Sequence, residues 1–248
     1  KVTPEVIDAA KNLKIVVRAG AGYDNVNLEA ASAKNIVVMN TPGQNSNAVA
    51  ELALGMMVYQ ARNHFNGTSG TELKGKKLGI HAYGNVGRLV ANIAKGFGME
   101  IFAFDPFIAK ESMEAEGVTV CDTVEDLYAV SDYLSLHIPA NEHTKKSVNH
   151  ALLSKMKDGA VVINTARKEV IDEEGLMKIM EEKPNFKYVS DIAPDSKDAL
   201  CEKFEGRVFF TPKKMGAQTA EANINAGIAA AKQIIAYLEN GETTFKVN

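Results

Sequence analysis

Short apolar runs alternate along this chain with stretches whose apolar residues recur at helical spacing, and the alternation is most regular from Lys77 onward. The runs predict strands at 77–82, 100–105, 118–121, 133–138, 160–164, 187–192 and 208–211. Helical periodicity fits between most of them, at 85–97, 109–116, 123–130, 149–156 and 172–182. Strands separated by helices of this length point to βαβ units and a mainly parallel sheet. Val161-Val162-Ile163 is apolar at consecutive positions, as a strand covered on both faces requires. Upstream, Thr3-Pro4-Glu5 offers an N-cap, a first-turn proline and an acid, opening a helix to about Lys11. Strands at 14–17 and 36–39 flank a helix at 28–34. A long helix over 45–65 ends at Asn66-Gly67-Thr68-Ser69-Gly70, the best boundary loop in the chain. The last helix, 220–238, stops at Asn240-Gly241.

Composition narrows the class. With 46% hydrophobic and 24% charged residues in 248, the chain can bury a core and is not disordered. Its 28 basic against 31 acidic residues leave a net charge of −3, so no basic excess exists for nucleic acid. The most apolar stretch, 48–61, is interrupted by Glu51 and too short to span a bilayer, so no membrane partner is expected. Cys121 and Cys201 form no CxxC and fit a reducing, cytoplasmic setting. The abrupt opening at Lys1 reads as a cut into a larger fold, incomplete at its N-terminus.

The first candidate chemistry follows the strand at 77–82. Ala82-Tyr83-Gly84-Asn85-Val86-Gly87 is a variant of the dinucleotide fingerprint, with Ala82 at the first glycine position. Gly84 lets the backbone approach a pyrophosphate, Gly87 lets the helix pack on the strand, and the N–H groups of Asn85 and Val86 face the anion. Alanine at position 82 predicts a turn with negative φ there, so that glycine's special conformation is not needed. The next strand ends in Asp105, eighteen residues after Gly87, where an acid accepts both ribose hydroxyls and repels a 2′-phosphate. NAD is the cofactor this implies; the plainer alternative is an aspartate capping a turn before Pro106. Tyr83 and His81 read as packing residues, His137 as structural, and the Met56-Met57 pair as core or subunit interface. No Cys/His cluster suggests a metal.

Three further polar segments sit where strands end: Asn164-Thr165-Ala166-Arg167, Asp191-Ile192, and Pro212-Lys213-Lys214-Met215-Gly216-Ala217. Ligands of open α/β sheets bind beyond those ends. A guanidinium, a carboxylate and an amine together suit hydroxy-acid oxidation. With these segments, Arg18-Ala19-Gly20-Ala21-Gly22-Tyr23-Asp24-Asn25, Asn40-Thr41-Pro42-Gly43 and Leu136-His137-Ile138-Pro139, the chain resembles the D-2-hydroxyacid dehydrogenase family over essentially its whole length. The resemblance implies an α/β fold: a doubly wound parallel sheet, the Rossmann-type NAD lobe, at 45–219, and a second, smaller α/β substrate lobe, here partial, from 1–44 and 220–248. It also implies a homodimer, for which the apolar helix 45–65, with Leu52, Leu54, Met56, Met57, Val58 and Tyr59, is the expected interface.

Carried over residue by residue, the resemblance makes Arg167 the residue that binds the substrate carboxylate and polarises the C2 oxygen, a role suited to its planar fork. Ala19, Gly20, Ala21 and Gly22 match the loop whose N–H groups hold the same carboxylate, and Arg18 is the candidate for a substrate phosphate. Asn85, Val86, Asp105, Ile138, Thr165 and Asp191 match cofactor contacts, with Asp191 placed for the nicotinamide amide. The chain departs from the family at two points. Ser196 stands where a glutamate usually lies five residues after Asp191, and aligning back from Gly216 puts Lys214 at the usual catalytic histidine. A minority of members carry lysine there, and lysine needs no carboxylate to fix a tautomer. The plainer alternative is a solvated Lys213-Lys214 pair in a loop. The activity implied is NAD-dependent oxidation of a D-2-hydroxy acid, most closely 3-phospho-D-glycerate on the route to serine. The alternatives are a glyoxylate or hydroxypyruvate reductase, or a catalytically idle NAD(H)-sensing protein.

Overall fold

The computed structural model describes residues Lys1–Asn248, which divide into two compact units. One is Val49–Gly216; the other joins Lys1–Ala48 to Ala217–Asn248. In chain order the elements begin α1 (Pro4–Ala9), β1 (Ile15–Arg18), α2 (Leu28–Ala33), β2 (Val37–Asn40) and α3 (Ser46–Ala61). They continue β3 (Lys77–His81), α4 (Asn85–Gly96), β4 (Glu100–Phe104), α5 (Lys110–Ala115), β5 (Thr119–Val120), α6 (Val124–Val130) and β6 (Tyr133–Leu136). The last are α7 (His150–Leu153), β7 (Val161–Asn164), α8 (Glu173–Glu182), β8 (Lys187–Ser190), α9 (Lys197–Lys203), β9 (Val208–Phe210) and α10 (Ala220–Asn240).

In the unit Val49–Gly216, seven parallel strands lie in the order β5-β4-β3-β6-β7-β8-β9. The chain runs outward from β3 to β5, then returns to β6 on the other side of β3. The strand order therefore reverses between β3 and β6, where such sheets place their ligands. Successive side chains point to opposite faces, and the two cores record it. Val161 and Ile163 pack with Leu78, Ile80 and the α4 residues Val90, Ala91 and Ala94. Val162 packs with Leu134, Leu136 and the α8 residues Leu176, Ile179 and Met180. All four residues of β6 and of β7 are buried, which explains their unbroken apolar character.

The other unit is small. β1 and β2 pair in parallel from Ile15↔Val37 to Arg18↔Asn40. Ile7, Val26, Ala31, Ile36 and Val38 form its core. The C-terminal residues run along β2: Lys246 bridges Met39, and the Asn248 side chain accepts from Val38 N at 2.8 Å.

Polar side chains start the helices as their positions suggest. Asn27, Thr123, Asn149 and Thr219 each accept a hydrogen bond from the N–H three residues on, capping α2, α6, α7 and α10. Gly241, at φ 69°, closes α10.

Three features depart from the reading of the sequence. The segment α9 was not expected; its N-cap Ser196 makes no capping bond and only Leu200 is buried, so seven residues carry almost no pattern. The long helix ends at Ala61 instead of 65, because Asn63, His64 and Phe65 all take positive φ. Its apolar residues are also largely spent within their own unit, Leu54, Met56 and Met57 being buried there while Leu52 and Val58 pack partly against the same core.

The third departure is Ala82. It takes φ 78°, the left-handed conformation that its side chain disfavours by about 1–2 kcal/mol. The surroundings impose it. Ala82 N donates to Phe104 O at 3.0 Å, and Tyr83 N donates to Asp105 Oδ2 at 2.8 Å, so the chain must swing from β3 onto the end of β4. Gly87 then approaches so closely that a Cβ there would lie 2.4 Å from Ala82 O. The first fingerprint position thus keeps the conformation glycine serves, at a cost. Ala82→Gly relieves that strain but loosens the unfolded chain by about 0.4–1 kcal/mol, leaving a net gain of up to about 1.5 kcal/mol. Urea unfolding of the two proteins checks this, and a variant clearly less stable than the parent contradicts it.

Candidate functional site

Every polar group singled out in the unit Val49–Gly216 lies at the carboxyl edge of its sheet. Gly84 is the N-cap of α4, so the first-turn N–H groups of Asn85 and Val86 have no carbonyl one turn back. A Cβ built at Gly84 meets nothing within 4 Å, leaving open space beside these donors. Asp105 is fixed on the neighbouring strand end: Oδ2 accepts from Tyr83 N and Oδ1 from Phe107 N, each at 2.8 Å. A carboxylate has about four acceptor sites, so two bonds hold it while others serve a diol. Capping the turn therefore leaves the carboxylate with capacity to accept from a diol.

Beside Asp105 lies a cavity of about 410 Å³, walled by His81 and Phe104 from the ends of β3 and β4, and by Ile138, Val124, Ser147 and Leu152. Of these, only Ile138 was anticipated as a cofactor contact. The rest come from four separate stretches of chain, and no local motif joins them. His81 places Nδ1 3.1 Å from the Tyr128 hydroxyl, and burial lowers its pKa to about 4. His137 lies 2.9 Å from Ser135 Oγ through Nε2, and burial, with a smaller contribution from His81, lowers it to about 3. Both are neutral imidazoles at ordinary pH. Tyr83 is buried and donates to Glu116 Oε2 at 3.1 Å, the packing role expected of it.

The ends of β7, β8 and β9 bring together the remaining residues. Asn164 braces the turn after β7: Oδ1 accepts from Ala166 N at 2.9 Å, and Nδ2 donates to Arg167 O at 2.9 Å. The carbonyl of Ala166 then accepts from two cations, Arg167 Nη1 at 3.0 Å and Lys214 Nζ at 2.7 Å. Two positive side chains meeting at one oxygen form a site for an anion or a developing oxyanion. Thr165, 5% exposed between Asn164 and Ala166, has a buried hydroxyl without a hydrogen-bond partner. A ligand with polar groups at this edge would satisfy it. This orphan hydroxyl, the open donors after Gly84 and the poised Asp105 fit a dinucleotide.

Asp191 is only 1% exposed, and its carboxylate is occupied by this chain. Oδ1 accepts from Met215 N at 2.8 Å and lies 3.1 Å from Thr211 Oγ1; Oδ2 accepts from Gly216 N at 2.8 Å. Hydrogen bonds to a charged group contribute about 1.5–3 kcal/mol each, so Asp191 fastens the loop that carries Lys214. Gly216 is required there, since a Cβ would lie 2.9 Å from Asp191 Oδ2. Where a glutamate was looked for, Ser196 N and Asp195 N instead donate to the Glu173 carboxylate at 2.8 and 2.9 Å. Lys168 pairs with Asp195 beside them.

In the other unit, Thr41 N donates to Gly20 O at 3.0 Å, and Gly20 N donates to Thr41 Oγ1 at 2.6 Å. Asn40 Nδ2 donates to Ala21 O at 2.7 Å, and Arg18 Nη1 to Ala19 O at 2.9 Å. Asn40-Thr41 thus shapes the 19–22 loop from within. The Gly20 N–H, one of the donors expected for a carboxylate, is already used by Thr41.

Comparison with known proteins agrees with this geometry. Residues 52–212 match the family described as D-isomer specific 2-hydroxyacid dehydrogenase, NAD binding domain. A hydroxypyruvate reductase of Thermotoga maritima is 38% identical over 252 residues, covering 94% of this chain and 80% of that protein. A D-3-phosphoglycerate dehydrogenase of Methanocaldococcus jannaschii is 36% identical over 249 residues, 94% of this chain but 47% of that protein. The chain spans about half the length of the curated phosphoglycerate dehydrogenases it matches. Among solved structures, the NAD⁺-bound 3-phosphoglycerate dehydrogenase of Entamoeba histolytica superposes with a TM-score of 0.92 at 48% identity, over 100% of this chain and 80% of that one. The parallel sheet with its strand-order reversal, the fingerprint turn with Asp105, and the family match over 52–212 lead to one conclusion: this chain belongs to the NAD-binding D-isomer specific 2-hydroxyacid dehydrogenases.

Proposed function

We propose that the protein oxidises 3-phospho-D-glycerate to 3-phosphohydroxypyruvate, with NAD as the hydride acceptor. The observation that carries the reading is the meeting of Arg167 and Lys214 on the Ala166 carbonyl at the end of β7. Relatives named for phosphoglycerate supply the substrate class, and the 48% identical structure supports it as well. In this mechanism Lys214 Nζ, as the free amine, takes the C2 hydroxyl proton as the C2 hydrogen departs as hydride. The Arg167 guanidinium grips the carboxylate and stabilises negative charge growing on the C2 oxygen. Asp191 keeps the lysine loop in place, and Asn164 does the same for Arg167. Because an ammonium must lose its proton before it can accept one, oxidation rises toward alkaline pH, and protonated Lys214 favours the reverse reduction. A second reading, reduction of hydroxypyruvate or glyoxylate, is supported by the 38% identical reductase. Assaying the full-length protein with a panel of phosphorylated and unphosphorylated 2-hydroxy and 2-oxo acids separates the two.

The unit with both chain ends is assigned to the substrate, with Arg18 for the phosphate and the 19–22 loop for the carboxylate. Gly84, Asn85, Val86, Gly87, Asp105, Ile138 and Thr165 are assigned to the cofactor, as is Asp191, whose carboxylate also binds the lysine loop. We place the protein in the cytoplasm on its two free thiols, Cys121 and Cys201; no helix is long and apolar enough to cross a membrane. A homodimer is proposed as well, with the partly exposed Leu52, Val58 and Tyr59 side of α3 as its contact.

Three outcomes test these assignments. Because a 2′-phosphate would meet the Asp105 carboxylate, NAD binds much more tightly than NADP in calorimetric titration; equal affinities contradict the role of Asp105. Lys214→Ala lowers turnover on the order of 10²–10⁴-fold with little change in NAD affinity, whereas Lys213→Ala is mild. A reversed pattern means that the alignment back from Gly216 is off by one residue, and two inert variants remove the lysine mechanism. Light scattering of the full-length protein at micromolar concentration gives twice the mass of one chain; a monomer argues against the α3 interface.

A further inference from the structure

The cavity beside Asp105 is more polar at its base than stacking alone requires. Phe104, Val124, Ile138 and Leu152 supply apolar flanks for a flat ring. Thr144 and Asn149 also reach it, but the Thr144 hydroxyl donates to Pro139 O at 2.5 Å, and Asn149 Oδ1 accepts from Leu152 N at the start of α7. Glu125 and Lys155 are exposed at the surface end of the wall. His143 lines the wall too and is exposed, so two polar side chains remain. Ser147 has a buried Oγ with no hydrogen-bond partner. His81 engages Tyr128 through Nδ1, which leaves Nε2 as the ring nitrogen for another partner. A buried polar group is costly unless it is bonded. Packing against Phe104 would be served as well by an aliphatic residue at the end of β3.

Phe104 directly precedes Asp105, so a ribose held by Asp105 carries its base against this wall. We propose that His81 and Ser147 hydrogen-bond the edge of the adenine base of NAD within this cavity. The cavity then sets preference for the base as well as covering it. This rests on the assignment of NAD to the fingerprint turn. His81 suits the task because, buried and neutral with its pKa lowered to about 4, it presents one N–H and one lone pair across the working pH range. The Tyr128 hydroxyl at Nδ1 can donate or accept, so Nε2 can present either its N–H or its lone pair to the base.

The test is equilibrium binding to the full-length protein by calorimetry, with NAD and AMP as probes. Reduced nicotinamide mononucleotide, which lacks the adenosine half, is followed by its own fluorescence as the control. AMP is expected to bind and to compete with NAD. His81→Leu and Ser147→Ala are each expected to weaken AMP and NAD about three- to tenfold, while leaving the mononucleotide unchanged. AMP that does not compete with NAD overturns the proposal. So does NAD or AMP binding that is unaffected in both variants, or a loss equal for NAD and the mononucleotide. If His81→Leu does not fold, His81→Phe, which also lacks any hydrogen-bonding group, and Ser147→Ala carry the same comparison. Failure of the parent protein to bind NAD would instead strike the cofactor assignment itself.

Discussion

Both faces of the seven-stranded sheet are buried, and from this constraint the rest of the molecule follows. Each fully buried aliphatic side chain of such a sheet contributes about 1.5–3 kcal/mol, so no position along β6 or β7 can hold an exposed or charged group cheaply. The polar chemistry is therefore confined to the residues just past the strand ends. Gly84, Asp105, Ile138, Thr165, Arg167, Asp191 and Lys214 all follow a strand, and each lies where the chain first leaves the apolar layers. The strand-order reversal between β3 and β6 opens the edge at one place, beside the fingerprint turn.

Precision at that edge comes from buried polar side chains that never need to touch substrate. Asn164 ties two backbone groups of the turn leading to Arg167. Asp191 gathers the 211–216 loop, and Gly216 keeps the space its carboxylate needs. Loops without such bracing would hold Arg167 and Lys214 by rotamer alone, and a displacement of about 1 Å can cost on the order of a hundredfold in rate. The absence of a glutamate at Ser196 is coherent with this design. The lysine base proposed above has no tautomer to be set, and the local backbone donors are taken up by Glu173 instead.

Periodicity and end signals made most of the architecture legible without coordinates. The apolar runs located all nine strands to within about two residues, and the signal is continuous in β6 and β7, where every residue is buried. Thr3, the one N-cap read from the sequence, opens α1 at Pro4 but makes no capping bond; the caps Asn27, Thr123, Asn149 and Thr219 came from the structure. Gly84, Gly87, Asp105 and Arg167 could be singled out because each acts from a fixed offset to a strand end.

Tertiary structure decided what depends on residues distant in sequence. Ala82 adopts positive φ because Phe104 O and the Asp105 carboxylate draw the turn across a neighbouring strand, a pull that local propensity does not contain. Leu54, Met56 and Met57 of α3 are buried in the core of their own unit while Leu52, Val58 and Tyr59 are only partly buried, a division that periodicity does not contain. The cavity wall joins β3, β4, α6 and the 139–149 loop, and the task of Asp191 became visible only with Met215 and Gly216 in place. Helical and strand periods and strand-end motifs are properties of neighbouring residues, so the sequence alone determined them. Strain, burial and the closing of a carboxylate by distant N–H groups are properties of contacts, and only the fold could decide those.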